Sequence, residues 1–317
     1  MLDFTEFKNE FINGCRDELA GVARFSPYSK IELEEHSITK AQRGELTGLI
    51  FKEPGTVCAP TFYVEDFYDL YKEGRSLKDL SVTVVQDAYR YIHNPPDFPD
   101  IDPDVLSGQG LFGVRLLNKS GNRDYLKDVT YLDTGCGFAL IAEIRSGDFR
   151  AVITNSLLDS LGMTKEALFE RALEDSSMND RATLFDLADM LPAFPEGSTN
   201  LLDSEAGTVL PPVSLYVLSN ESSFWGAAVL FYPGMLERLS DLMGGSFYVL
   251  PSSIHEVLLL PATEGDPQKL VDIIRSANRT VTDSDVFLAD ELFICEYGKL
   301  RQVSYGGVVP SAGNFPC

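Results

Sequence analysis

Phe247-Tyr248-Val249-Leu250-Pro251-Ser252-Ser253-Ile254-His255-Glu256-Val257-Leu258-Leu259-Leu260 decides the fold class. Phe247 to Leu250 and Ile254 to Leu260 are aromatic and aliphatic runs of strand length around a Pro-Ser-Ser interruption. One strand therefore follows another with no helix between them. The same pairing recurs through the chain. Lys30 to Glu34 and Glu45 to Ile50 alternate polar and apolar residues across a polar turn near Gln42-Arg43-Gly44, which predicts a hairpin. Leu111 to Leu117, Ala139 to Ile144 and Phe149 to Ile153 read as strands, as do Val213 to Leu218 and Trp225 to Tyr232. Leu292 to Glu296 and Leu300 to Ser304 form a last hairpin over Tyr297-Gly298-Lys299. Strands that cluster in this way point to an α+β fold with mixed or antiparallel sheets and packed helices, not to a doubly wound parallel sheet.

Helices fill the intervals. Phe4, Phe7, Phe11 and Cys15 recur at helical spacing, with Ile12 and Leu19 close to the same face. Tyr63 to Glu73 is a helix closed by Gly74, and Ser76 caps another whose buried side is Leu77, Leu80, Val84, Ala88 and Ile92. Thr164 opens a helix to about Glu174, and a shorter one is expected over Ala182 to Met190. Pro233 stands at the start of a helix that ends at Gly244-Gly245, and Asp266-Pro267 opens one that runs to about Asn278. Pro192 to Pro212 is loop-like. The stretch Asn94 to Pro103, rich in proline, suits neither a helix nor an interior strand, because proline lacks the backbone donor. It divides the chain into two expected sub-domains, residues 1–105 and 106–305, followed by a loose tail, 306–317.

Composition bounds the function. The chain has 317 residues, 44% of them hydrophobic and 11% aromatic, enough for a sizeable core. Its formal charge of −22 is the wrong sign for neutralising phosphates, and no cluster of Lys and Arg offsets it. Nucleic acid and membrane are therefore not expected as partners; an unknown protein or small molecule is. The cysteines, Cys15, Cys58, Cys136, Cys295 and Cys317, are odd in number, widely spaced and without a CxxC pair. That pattern fits a reducing cytoplasm and lacks the usual zinc spacing. Residues 1–6 show neither a basic stretch nor an apolar run, so no signal peptide is expected. No apolar run approaches the ~20 residues of a membrane helix. Cys317 does not stand in a prenylation box.

At Tyr232-Pro233-Gly234 and Leu250-Pro251-Ser252-Ser253-Ile254-His255-Glu256-Val257 the chain resembles a family of bacterial proteins known only as a domain of unknown function, from anaerobic Gram-positive bacteria. Leu161 to Thr164, Tyr216 to Asn220 and Asn278-Arg279-Thr280 support the likeness. So does the order of elements over nearly the whole chain. The resemblance implies company but no activity, substrate or catalytic residue. Asp133-Thr134-Gly135-Cys136-Gly137 does not look typical of that family.

Several motifs fail the context that their chemistry needs. Gly108-Gln109-Gly110-Leu111-Phe112-Gly113 matches GxGxxG but leads into a strand instead of a helix, so no cofactor is expected there. Asp133-Thr134-Gly135 lacks the second tripeptide of an aspartic-protease dyad and reads as a glycine-rich turn. Asp100, Asp102 and Asp104 alternate as in a calcium loop, but Val105 and Leu111 stand where Gly and Glu are needed. His36 and His93 have no metal-ligand spacing, and His93 suits a helix C-terminus. No metal is expected, and Trp225 is read as core.

Ser252, Ser253, His255 and Glu256 are the candidate functional cluster, offering base, orienter and nucleophile. On a regular strand His255 and Glu256 point to opposite faces, so they cannot share one pocket. The competing reading is that the pair orders the Pro-Ser-Ser turn. The expected function is a non-catalytic, cytosolic binding or regulatory protein. The alternatives are a hydrolase or other enzyme with a site near His255 and Glu256, and a structural oligomer subunit.

Overall fold

The computed structural model describes residues 1–25, 30–54, 59–95, 111–146, 149–190, 199–251, 253–262, 267–280 and 285–303. The chain divides into two compact units, Met1–Phe98 and Pro99–Cys317. All named strand pairs among the described residues are antiparallel, in three sheets, so the fold is α+β. Most of the stretch from Asn94 to Pro103, the glycines Gly108 and Gly110, and Asp100, Asp102 and Asp104 lie outside the described residues.

The first unit builds one core from the periodicities of its sequence. Helix α1 (Phe4–Phe25) is followed by the hairpin β1 (Glu32–Lys40) and β2 (Gly44–Lys52), the short β3 (Thr61–Tyr63), then α2 (Val64–Lys72) and α3 (Leu77–His93). The sheet order is β1-β2-β3. Phe7, Phe11 and Cys15 from α1 meet Leu49 and Phe51 from β2 and Leu80, Val84 and Ala88 from α3. Each large side chain buried there contributes about 1.5–3 kcal/mol of transfer free energy. Ser76 caps α3 by accepting the Asp79 N–H at 3.1 Å. At the other end His93 Nδ1 lies 2.9 Å from the Tyr89 carbonyl.

The second unit holds two sheets. The smaller is built from β4 (Phe112–Asn118), β5 (Tyr131–Asp133), β6 (Phe138–Ser146) and β7 (Phe149–Val152), in the order β4-β6-β5 with β7 also on β6. Helices α4 (Asn155–Leu161) and α5 (Lys165–Asn179) follow; Thr164 caps α5, its hydroxyl accepting the Ala167 N–H at 3.2 Å. The chain then makes β8 (Ala182–Asp186), β9 (Tyr216–Asn220), a 3-10 helix over Gly226–Phe231, α6 (Met235–Leu242), β10 (Phe247–Leu250), β11 (Val257–Pro261), α7 (Pro267–Thr280), β12 (Phe293–Glu296) and β13 (Lys299–Gln302). The larger sheet has the order β13-β12-β10-β11-β9-β8.

Sheet edges explain several details. The outward N–H groups of Phe112 and Val114 on β4 are taken by α5 side chains, Asp175 Oδ2 at 3.2 Å and Ser176 Oγ at 3.1 Å. An edge satisfied in this way offers no template to another strand. On β8, Asn200 does the same work: its amide nitrogen donates to the Ala182 carbonyl at 2.9 Å and its oxygen accepts the Leu184 N–H at 3.0 Å. This corrects the expected helix over Ala182 to Met190. β9 on one side and Asn200 on the other hold the first half extended, and only Leu187–Met190 turns, as a 3-10 helix. Trp225 to Tyr232 is corrected likewise. Trp225 has φ +58° and starts a 3-10 helix whose first five residues, Gly226 to Leu230, are buried, so the run packs as a helical turn across β9, not as a strand. Finally, the strand expected from Ile254 begins only at Val257; Ser253 bridges Phe287, and Ile254 and His255 form a bend.

Candidate functional site

The register of the smaller sheet gathers charge inside the second unit. Gly113 pairs with Glu143 and Arg115 with Ile141, so Arg115, Glu143 and Arg145 share one face of the sheet. Glu143 is only 1% exposed. A buried carboxylate needs partners, and two arginines supply them. Arg145 Nε donates to Glu143 Oε1 at 2.8 Å, and Arg115 Nε lies 3.9 Å from Oε2. Arg145 also donates to the Val114 carbonyl at 3.1 Å. Its flat guanidinium lies across β4 where Gly113 has no side chain. A Cβ at Gly113 would fall 1.9 Å from Arg145 Nε.

The network continues beyond the sheet. Arg145 Nη1 is 3.8 Å from Asp180 at the end of α5. Asp180 in turn accepts from Asn220 Nδ2 and Ser222 Oγ, each at 2.8 Å, and from the Ser222 N–H at 3.1 Å. On the other side Arg115 donates to the Tyr125 hydroxyl at 3.0 Å, and its guanidinium carbon stands 4.9 Å from the Trp225 ring centre. Burial pushes the Tyr125 and Tyr232 hydroxyl pKa values up. Two arginines balance Glu143 and Asp180, so the network is neutral as a whole. Arg115 Nε is buried without a hydrogen-bond partner among the described residues.

His255 adjoins this network through Trp225. The two rings stack with centres 5.4 Å apart and an interplanar angle of 22°. The Trp225 N–H donates to His255 Nδ1 at 3.2 Å, which requires the neutral tautomer protonated on Nε2. Burial lowers the His255 pKa below its usual range, in keeping with that neutral form. The His255 carbonyl accepts from Ser219 Oγ at 2.8 Å. Gly226 permits this close approach: a Cβ there would lie 2.4 Å from that carbonyl. Trp225, expected in the core, is instead half-buried between a cation and an imidazole.

The other members of the expected cluster do not converge on the imidazole. Ser253 Oγ accepts the His255 backbone N–H at 3.0 Å, a local turn. Glu256 is half-buried and makes no side-chain hydrogen bond or ion pair among the described residues. Ser252 lies outside the described residues. An imidazole whose Nδ1 accepts a backbone N–H has no carboxylate there to orient it as a base. The network of Arg115, Glu143, Arg145 and Asp180 was missed by motif reading. Its signal was present: charged residues two apart within the apolar run Phe138 to Ile144 and its continuation, Arg145.

A second feature lies where the smaller sheet faces the β12–β13 hairpin. It is a cleft of about 570 Å³ lined by residues that include Lys119, Arg123, Cys136, Glu291, Phe293 and Gln302. That volume is within the usual range for small-molecule sites. The hairpin carrying Asp133-Thr134-Gly135 forms one side. Asp133 accepts the Gly135 N–H at 3.0 Å and pairs with Lys119, so this tripeptide is a turn. Burial works to raise the Asp133 pKa, but Lys119 and the Gly135 N–H outweigh it and the net shift is downward. The Lys119 pKa is raised by the same contact. Arg123 and Glu291 form no ion pair among the described residues. Cys136 is buried beside Thr134, its thiol pKa raised by burial.

Among the described residues no group of three or more His, Cys, Asp or Glu is placed to hold a metal ion. No helix among them is long and apolar enough to cross a membrane. No curated protein and no solved structure matches the chain. A family model does match, over residues 4–296, and by that match the chain belongs to DUF5688, a family of unknown function.

Proposed function

We propose that this protein is a non-catalytic binding protein whose ligand occupies the cleft between Lys119, Arg123 and Glu291. The observation that carries this reading is the contrast between two groups of charges. Around Glu143 each carboxylate is held by arginines or N–H groups, and His255 Nδ1 is held by a backbone amide. In the cleft, Arg123 and Glu291 have no ion-pair partner among the described residues, and Phe293 contributes to the lining. Unspent polar groups converging on a concave surface are the general mark of a binding site. The described thiols Cys15, Cys136 and Cys295 are buried and unpaired, which suits the cytoplasm. Under this reading the two compact units are separate domains joined through the proline-rich stretch.

Native mass spectrometry of protein purified from its own host, without chelator, tests the reading. A co-purifying metabolite or protein supports it. Turnover of ester or peptide substrates that disappears in His255→Asn, with no ligand retained, overturns it in favour of an enzyme.

A further inference from the structure

We infer that the cleft selects a small zwitterion, a free α-amino acid or a short peptide carrying both an ammonium and a carboxylate. This rests on the cleft being the binding site. The cleft carries both signs: Lys119 and Arg123 come from the segment after β4, and Glu291 from the residues before β12. Lys119 is held by Asp133, so Arg123 is the cation left to a ligand, with Glu291 the acid left to it. Arg123 is exposed and Glu291 half-buried, so both are open to solvent and to an incoming molecule.

The whole-chain charge of −22 disfavours one ligand class and the local cations another. A plain anion meets long-range repulsion from the protein and from Glu291 itself. A plain cation meets Arg123 and Lys119 at the site. A neutral dipolar molecule escapes the net repulsion and satisfies both ends, its carboxylate on the guanidinium and its ammonium on the carboxylate. The volume of about 570 Å³ admits a molecule of that size. Phe293 and Cys136, both buried, and the amide of Gln302 complete the lining.

The test uses the full-length chain. Isothermal titration and amide-detected NMR are run with the proteinogenic amino acids, the dipeptide L-Ala-L-Ala, succinate as a plain dianion and N-acetyl-L-alanine amide as a neutral control. The wild type is compared with Arg123→Gln and Glu291→Gln; neither side chain holds an ion pair within the described residues, and unchanged melting temperatures confirm intact folds. The inference expects at least one zwitterion to shift the Gly137 and Gln302 amides. It expects each substitution to weaken that ligand by about tenfold or more. Glu291→Gln does not weaken succinate, because the substitution removes a repulsion from it. Amino acids and the dipeptide distinguish the two sources of the same chemistry. If succinate or the neutral amide shifts the cleft amides and no zwitterion does, the cleft is a binding site but this inference is overturned. If no probe shifts them, the inference is overturned, and native mass spectrometry then decides the broader reading.

Discussion

Replacing Glu143 by Gln removes the one negative charge between Arg115 and Arg145 while keeping the shape of the side chain. Arg145 Nε sits 2.8 Å from the carboxylate and Arg115 Nε 3.9 Å, and Glu143 is only 1% exposed. Water cannot take over for the lost charge. Breaking a buried pair by removing one partner costs about 3–5 kcal/mol, and Gln, which still accepts a hydrogen bond, belongs at about 3 kcal/mol. Trp225 is the only tryptophan in the chain and stands 4.9 Å from the Arg115 guanidinium, so its emission reports unfolding of this unit. With a urea slope of about 3 kcal/mol per molar for a unit of this size, the unfolding midpoint falls by about 1 M. A double change of Glu143→Leu with Arg145→Met removes both charges, and its loss is smaller than that of Glu143→Gln. A midpoint within about 0.2 M of the wild type, judged against the same slope, would show that the network is solvated and that burial does not govern it.

Other outcomes follow from the same geometry. The unfolded chain takes up a proton on His255 near the usual 6.5, while burial makes the folded state resist it. The stability tied to this group is therefore full above that value and declines as pH falls toward the lowered folded pKa. His255→Asn, which keeps an acceptor near Nδ1, shows a smaller drop in urea midpoint between about pH 7.5 and about pH 5.5 than the wild type. Gly226→Ala forces apart β9 and the His255 carbonyl, since its Cβ would lie 2.2 Å from Ser219 Oγ, and costs about 1–3 kcal/mol in chemical denaturation. Burial pushes the Cys15 thiol up to about 12 and the Cys295 thiol up to about 11, so peptide mapping after native iodoacetamide treatment at about pH 8 finds both unlabelled and denatured protein labels them. Fast native labelling of either residue would contradict its burial.

Much of the fold was legible because local pattern and tertiary context agree. The Phe7-Phe11-Cys15 spacing lies on a helix face that is wholly buried, and Ser76 and Thr164 cap the helices they announce. The reading failed where a distant partner decides the outcome. Ala182 to Asp186 shows apolar positions that suit a helix, yet Asn200, from a loop, supplies the backbone bonds that keep it extended. Gly226 to Phe231 is an apolar run too short for periodicity to separate strand from helical turn. The choice is made by Trp225 at positive φ and by the contact of Gly226 with the His255 carbonyl. Less of the surroundings of the buried network was legible. His255 was visible as a polar residue among apolar neighbours, but its Trp225 partner is distant in sequence, and Glu143 gave no motif.

β6 connects the buried network to the cleft. Its start, Phe138, pairs with Asn118, and the Lys119 N–H donates to the Gly137 carbonyl at 3.0 Å, so the strand pair ends at the cleft wall. A few residues along the same pair lie Glu143 and Arg115, about 10–17 Å away at the rise of a strand. Ionic contacts centred on the buried Glu143 tie β4 to β6 and to the end of α5. Arg123, in the segment beyond β4, and Glu291, before β12, form no ion pair among the described residues. Strands tied together by ion pairs in their middle hold the segment that follows β4 in place, since preorganised groups lose less freedom on binding. Under the proposed reading the network around Glu143 supports the cleft, and Glu143→Gln is expected to weaken a ligand there through position and not through contact.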